Sequence, residues 1–280
     1  MNEVFTIGEF CFRLLCPEEI VPPPNFMRFC GGGTPAFTYR IVLTEDLPEP
    51  EGEILARRPD LLVSQTPWGE CRHIGVRGQD AFYACYEETG PDEARILVHS
   101  SRLRTLNLDP AFASLLALER RLIQRDALIL HCAFVEYEGM GLLFSAPSET
   151  GKTTQANLWN QYRGAETVNG DRALLQMIHG RWQARGWPIC GSSQVCQNRD
   201  LPIRAIVMLS QAKEDAARRL SPAQALARIY SQVTVNRWNQ GAVLHAMELL
   251  EGLCTSLPVY HLACTMEESA VQALERAICE

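Results

Sequence analysis

The chain lacks any apolar run of about eighteen residues, so no stretch of it reads as a membrane-spanning helix. Its first residues, Met-Asn-Glu-Val-Phe-Thr, lack the charged and apolar regions of a secretion signal. It also lacks any block of lysine and arginine. Its 26 basic residues are scattered among 33 acidic ones for a net charge of −7, which argues against nucleic acid and anionic membrane surfaces as partners. There is no C-x-x-C pair. Eleven cysteines are present, but the number is odd, and Cys11/Cys16 and Cys190/Cys196 are loosely spaced without nearby histidines. Neither a disulfide framework nor a zinc site is therefore expected, and a reducing, cytoplasmic setting is. What is there is 280 residues, 46% of them hydrophobic, enough for two modest domains or one large one.

One stretch organises the rest. Residues 142–154 read Leu-Leu-Phe-Ser-Ala-Pro-Ser-Glu-Thr-Gly-Lys-Thr-Thr, an apolar strand running into a polar loop and then a helical pattern. In the phosphate-binding pattern G-x-x-x-x-G-K-[ST], backbone N–H groups curl around an anion, the lysine reaches the terminal phosphates and the hydroxyl residue holds Mg²⁺. Gly151, Lys152 and Thr153 fit it, and Ser148, Glu149, Thr150 and Thr154 complete the expected nucleotide contacts. The first glycine is missing: Ala146 stands there, so the loop must enter in a geometry that alanine tolerates. A chance Gly-Lys-Thr triplet is the alternative, and the strand and helix on either side argue against it.

Residues 1–108 predict a β-rich domain, with strand-like runs at 4–15, 37–43, 72–76, 82–86 and 95–98, broken by Pro22-Pro23-Pro24, Gly31-Gly32-Gly33 and the prolines near residue 50. No chemical motif lies in it. Asp109-Pro110 starts a helix expected to end near residue 125, opening a second domain over 109–280. Residues 127–135 predict a buried strand carrying His131, which composition alone would leave as a core residue. Residues 166–171 predict a strand ending in Asp171, placed either to hold Mg²⁺ with Thr153 or to serve as a turn aspartate after Asn169-Gly170. A hairpin at 173–185 makes the sheet mixed rather than purely parallel. A strand at 202–209, helices at 222–232 and 240–253, a strand at 258–264 and a helix at 266–279 follow, while Trp182, Trp187 and Trp238 read as packing residues.

Taken together, residues 128–135, the loop and the strand end at 168–172 resemble the catalytic domain of the HPr kinase/phosphorylase family. The Thr-Gly-Lys-Thr-Thr of 150–154 is also similar to the loop of ATP-dependent phosphoenolpyruvate carboxykinase. The resemblance covers mainly 127–210. It implies an α/β fold, a P-loop mixed sheet of HPr kinase/phosphoenolpyruvate carboxykinase type, beside the N-terminal β-rich domain. It further implies ATP and Mg²⁺ as cofactors, Lys152 on the β- and γ-phosphates, Thr153 and Asp171 on the metal, and His131 orienting an acid–base carboxylate, so that Asp171, His131 and Lys152 are the expected catalytic residues. Three positions depart from the family pattern: Ala146, Glu149 and Gly170, the last where the family has its first aspartate.

The expected function is an ATP- and Mg²⁺-dependent kinase transferring phosphate to a hydroxyl of a small molecule or peptide, with a homo-oligomer compatible. The alternative is a catalytically weakened nucleotide-binding accessory or scaffold protein, as in modified-peptide biosynthesis. A third reading is an interaction protein whose loop binds no nucleotide.

Overall fold

The structure, a computed structural model, describes residues 1–79 and 81–279. The chain divides into two compact units, Met1–Arg121 and Leu122–Glu280. The first is one sheet of eight strands: β1 (Asn2–Ile7), β2 (Phe10–Leu15), β3 (Thr38–Thr44), β4 (Ile54–Arg58), β5 (Leu61–Thr66), β6 (Gly69–Gly75), β7 (Phe82–Glu88) and β8 (Glu93–His99), in the order β1-β2-β3-β8-β7-β6-β5-β4. The run expected at 4–15 is a hairpin, turned at Gly8 with φ 61. Strands β4 and β5 were not legible in the sequence. The exposed residues of β4 give no alternation, and β5 buries four residues in a row, Leu61 to Ser64.

Alternating side chains of β1 and β2 send Phe5 and Phe12 inward, where they stack 5.7 Å apart and meet Phe26 of the short helix α1 (Pro24–Met27). The helix expected over 110–125 is instead two short ones, α2 (Asp109–Ser114) and α3 (Leu118–Ile123), because Ala117 takes a left-handed φ of 45 between them. Arg120 in α3 pairs with Glu70 at 2.8 Å and Glu88 at 2.6 Å, both buried in the sheet. These charge-assisted bonds tie Arg120 to the first unit, whose last residue, Arg121, lies within α3.

The second unit contains β9 (Ala127–Tyr137), β10 (Met140–Ser145), α4 (Lys152–Arg163), β11 (Glu166–Asn169), β12 (Arg172–Ile178), β13 (Arg181–Arg185), β14 (Asp200–Gln211), β15 (Ala216–Arg219), α5 (Pro222–Ile229), α6 (Gln240–Ser256), β16 (Val259–Cys264) and α7 (Glu268–Cys279). This is a mixed sheet. Strand β10 runs antiparallel to β9 and parallel to β14, and β14 runs parallel to β16. The two longest strands are each shared: residues 127–131 of β9 pair with β12 and 132–137 with β10, while the start of β14 pairs with β13 and its remainder with β10. With β12 paired to β13, the pairings close a circuit of five strands.

Period-two alternation feeds two cores. Leu128, Leu130, Cys132 and Phe134 face one with Leu250 and Leu253 of α6, whereas Ala133, Val135, Leu142 and Phe144 face the other with Trp159 of α4 and Leu274 of α7. Helix α5 starts on a capping box between Ser221 and Gln224. Trp182 and Trp187 are buried packing residues. No described helix is long and apolar enough to cross a membrane.

Candidate functional site

The loop 146–151 leaves the carboxyl end of β10, with β9 on one side and β14 on the other, and leads into α4. Ser145 at the strand end donates through Oγ to the His131 carbonyl at 2.8 Å, which fixes the exit of β10 against β9. Ala146 is fully buried and is not among the residues with positive φ, which accounts for the missing first glycine. Left-handed backbone falls later, at Glu149 (φ 64) and Gly151 (φ 114). Glu149 is exposed, with its carbonyl accepting from Gln211 Nε2 at 3.3 Å. A side chain in that conformation costs about 1–2 kcal/mol, partly offset by the roughly 0.5–1 kcal/mol of unfolded-state entropy that glycine adds. Glu149→Gly should therefore raise stability by up to about 1 kcal/mol, read as a higher urea midpoint at unchanged slope. A lower midpoint would mean that the carboxylate makes favourable contacts outweighing the strain.

Gly151 caps α4 without a side-chain hydrogen bond, and the first turn carries no acidic residue. The leading amides of this twelve-residue helix and its positive dipole end therefore meet no side-chain acceptor at the cap. Lys152 is 8% exposed, and its ammonium donates to the carbonyls of Ala146 at 3.0 Å and Pro147 at 3.2 Å. Burial lowers its pKa, opposed by Asp171 and Cys132. Thr153 is exposed and Thr154 half-buried in the same turn. Beside them lies a cleft of about 470 Å³, lined among others by Thr153, Asn157 and Asn160 from α4, and by Gly170 and Ser193.

His131 and Asp171 come together through strand register. His131 is the last residue of β9 that pairs with β12, its partner being Arg172, and the Asp171 carbonyl accepts from Cys132 N at 3.0 Å. The result is His131 Nε2 at 3.6 Å from Asp171 Oδ1, with Arg172 Nε at 3.1 Å from Oδ2. Burial lowers the His131 pKa, the Lys152 charge lowers it further, and Asp171 opposes both. Lysine, histidine and aspartate thus lie within one another's electrostatic reach.

Two further residues shape this corner in ways the sequence did not indicate. Asn169, read there as half of a turn pair, is fully buried. Its Oδ1 accepts from the amides of Asp171 (2.8 Å) and Arg172 (2.9 Å), and its Nδ2 donates to the carbonyls of Trp187 and Ile189. It sets the turn that presents Asp171. Ser193, on the loop after β13, donates to the Cys190 carbonyl at 2.8 Å and fills the space in front of Gly170. A Cβ on Gly170 would fall 2.0 Å from Ser193 Oγ and 2.3 Å from its Cβ. Nothing in the sequence pairs 170 with 193. Gly170→Asp alone should therefore destabilise by about 1–3 kcal/mol through overpacking. Gly170→Asp with Ser193→Gly should recover most of that in a double-mutant cycle of denaturation midpoints. Additive losses would show that Ser193 is not the obstacle.

Fold and site together define a mixed α/β unit whose strand–loop–helix element brings a buried lysine to a histidine–aspartate pair. A family described as SynChlorMet cassette protein ScmC matches residues 100–279, and the chain belongs to that family. A solved structure, the HPr(Ser) kinase/phosphatase from Coxiella burnetii, is similar at 10% identity with a TM-score of 0.34, over 53% of this chain and 93% of that one. No curated protein matches.

Proposed function

We propose that the second unit binds ATP with Mg²⁺ at residues 146–154 and transfers phosphate to a hydroxyl of a small molecule or peptide. The observation that carries this reading is Lys152, buried at a helix start without a side-chain cap and within electrostatic reach of Asp171 and His131. The residues fit the ligand. A helix N-terminus with no side-chain acceptor and no acidic first turn suits an anion, and the lysine's carbonyl partners are neutral groups that phosphate oxygens can replace. The exposed Glu149 is free to turn its charge to solvent.

Thr153 and Asp171 would hold Mg²⁺, which supplies neutralisation of the charge spread over the transferring phosphoryl group. Lys152 holds the phosphates, and the helix dipole adds to its charge. Asp171 carries a second demand here, because Gly170 offers no carboxylate and Ser193 fills its space. We assign to Asp171 the orientation of the acceptor hydroxyl and acceptance of its proton, with His131 and Arg172 fixing the carboxylate.

One observation favours a second reading, a nucleotide-binding accessory protein of weakened activity. Gly170 and Ser193 remove the second carboxylate. Transfer from labelled ATP to a panel of hydroxyl compounds and peptides, run beside calorimetric ATP binding, separates the two. Binding with no transfer to any acceptor leaves the accessory role, and absence of binding removes both.

A further inference from the structure

The first unit holds a side-chain cluster that the proposed function does not use. Cys71 and His73 lie two apart on one face of β6, and Cys85 is the register partner of His73 on β7. One donor atom from each comes within 4.8 Å of the others, and the two sulfurs are 3.5 Å apart. His73 and Cys85 are buried, and Cys71 is half-buried. Separations of two and twelve residues across a hairpin match no zinc pattern of the C-x-x-C kind, so only the pairing of β6 with β7 reveals the trio.

The histidine carries an independent sign. It is 1% exposed, and its Nε2 sits 2.8 Å from the carbonyl of Pro48. A carbonyl only accepts, so Nε2 must bear the hydrogen, which leaves Nδ1 with an in-plane lone pair. That Nδ1 is buried without a hydrogen bond of good geometry, and it interacts with the Cys71 thiol. A thiol is a weak donor, so this buried acceptor is poorly satisfied by it and suits a stronger partner. Pro48 meanwhile supplies what a ligating histidine ordinarily has, a backbone carbonyl fixing its tautomer and ring plane.

The sulfur spacing agrees. Two thiolates about 2.3 Å from a tetrahedral zinc lie about 3.8 Å from each other, close to what is seen, whereas a disulfide requires about 2.05 Å. Glu87, the register partner of Cys71, is engaged by Arg95 at 2.8 Å.

We propose that Cys71 Sγ, Cys85 Sγ and His73 Nδ1 form a binding site for a thiophilic divalent cation, Zn²⁺ being the ion that two thiolates and an imidazole favour. The site has three protein ligands. It lies in the first unit and is independent of nucleotide binding in the second.

The test uses the full chain, stripped of metal under reducing conditions and titrated with Co²⁺ and then Zn²⁺. The expected result is one equivalent of Co²⁺ with a thiolate charge-transfer band and tetrahedral d–d bands, displaced by Zn²⁺. Cys71→Ser and Cys85→Ser should each lose that signature with an unchanged far-ultraviolet spectrum. In the wild type, Zn²⁺ should slow alkylation of Cys71 and Cys85 selectively among the eleven cysteines, read by peptide mass spectrometry, so the result does not depend on any variant folding. Cobalt bound without thiolate character, protection spread evenly over the cysteines, or a Cys71–Cys85 disulfide that persists under reductant would overturn the proposal.

Discussion

Lys152→Ala is expected to weaken Mg-ATP binding by about thirtyfold or more, since truncating one partner of a desolvated charged contact costs roughly 2–5 kcal/mol. The same change leaves the carbonyls of Ala146 and Pro147 without the ammonium that bridges them. Some loss of stability from those acceptors, about 1–3 kcal/mol, accompanies the loss of affinity. Calorimetric titration at a temperature where both proteins are fully folded separates the effects. Lys152→Arg serves as a control, because it keeps the charge on a longer planar group and should recover stability more than affinity. Equal affinity in wild type and Lys152→Ala would remove the loop from nucleotide binding.

Asp171→Asn is expected to abolish most phosphate transfer, by a factor of about 10² to 10⁴, while metal-free nucleotide affinity changes little. The amide cannot accept a proton and holds Mg²⁺ poorly, but it can keep the Arg172 neighbour and the turn set by Asn169. His131→Gln should lower turnover with ATP affinity preserved if the ring positions the carboxylate. It should also leave a signature of its own in stability against pH. The folded-state pKa of His131 is depressed by burial and by Lys152, so the unfolded chain binds more protons than the folded one in the window below its ordinary value near 6.5. This histidine's contribution is full above that value and lost as pH falls toward the folded pKa. His131→Gln should remove that part of the acid-side decline. Full transfer by Asp171→Asn would refute its assigned role. A purely structural His131 would lower stability at every pH without selectively slowing the reaction.

Local patterns in the sequence carried local structure. The apolar run 142–144, the glycine at 151 and the helical spacing after it mark out β10, the loop and α4, and His179-Gly180 marks the hairpin of β12 and β13. The residues that complete the corner were hidden because they are matters of pairing across distance. Ser193 meets Gly170 only after the loop following β13 has folded back, and the role of Asn169 depends on carbonyls eighteen and twenty residues away. The helix break at Ala117 gave no warning because alanine ordinarily favours a helix and here takes φ 45. Glu149 shows the reverse case: its departure from glycine was legible, and its φ of 64 gives that departure a physical cost. The cysteines were read by their spacing along the chain, whereas strand register decides which thiols meet.

The shared strands set the order in which the corner of the second unit can be assembled. His131 and Asp171 need the pairing of β9 with β12, whose partners lie forty-one to forty-nine positions apart. The floor beneath the loop also needs β14, whose Ile203 pairs with Gly141 sixty-two positions earlier. Loop entropy grows slowly with length, so this closure costs only about 0.4 kcal/mol more than the pairing of β9 with β12, and both cost more than any hairpin in the unit. Strand β12 precedes β14 in the chain, so during synthesis the histidine can sit beside the aspartate before the loop has its second flanking strand. The proposed anion site is complete only once the strand that closes the circuit is in place, so binding there would report on complete folding.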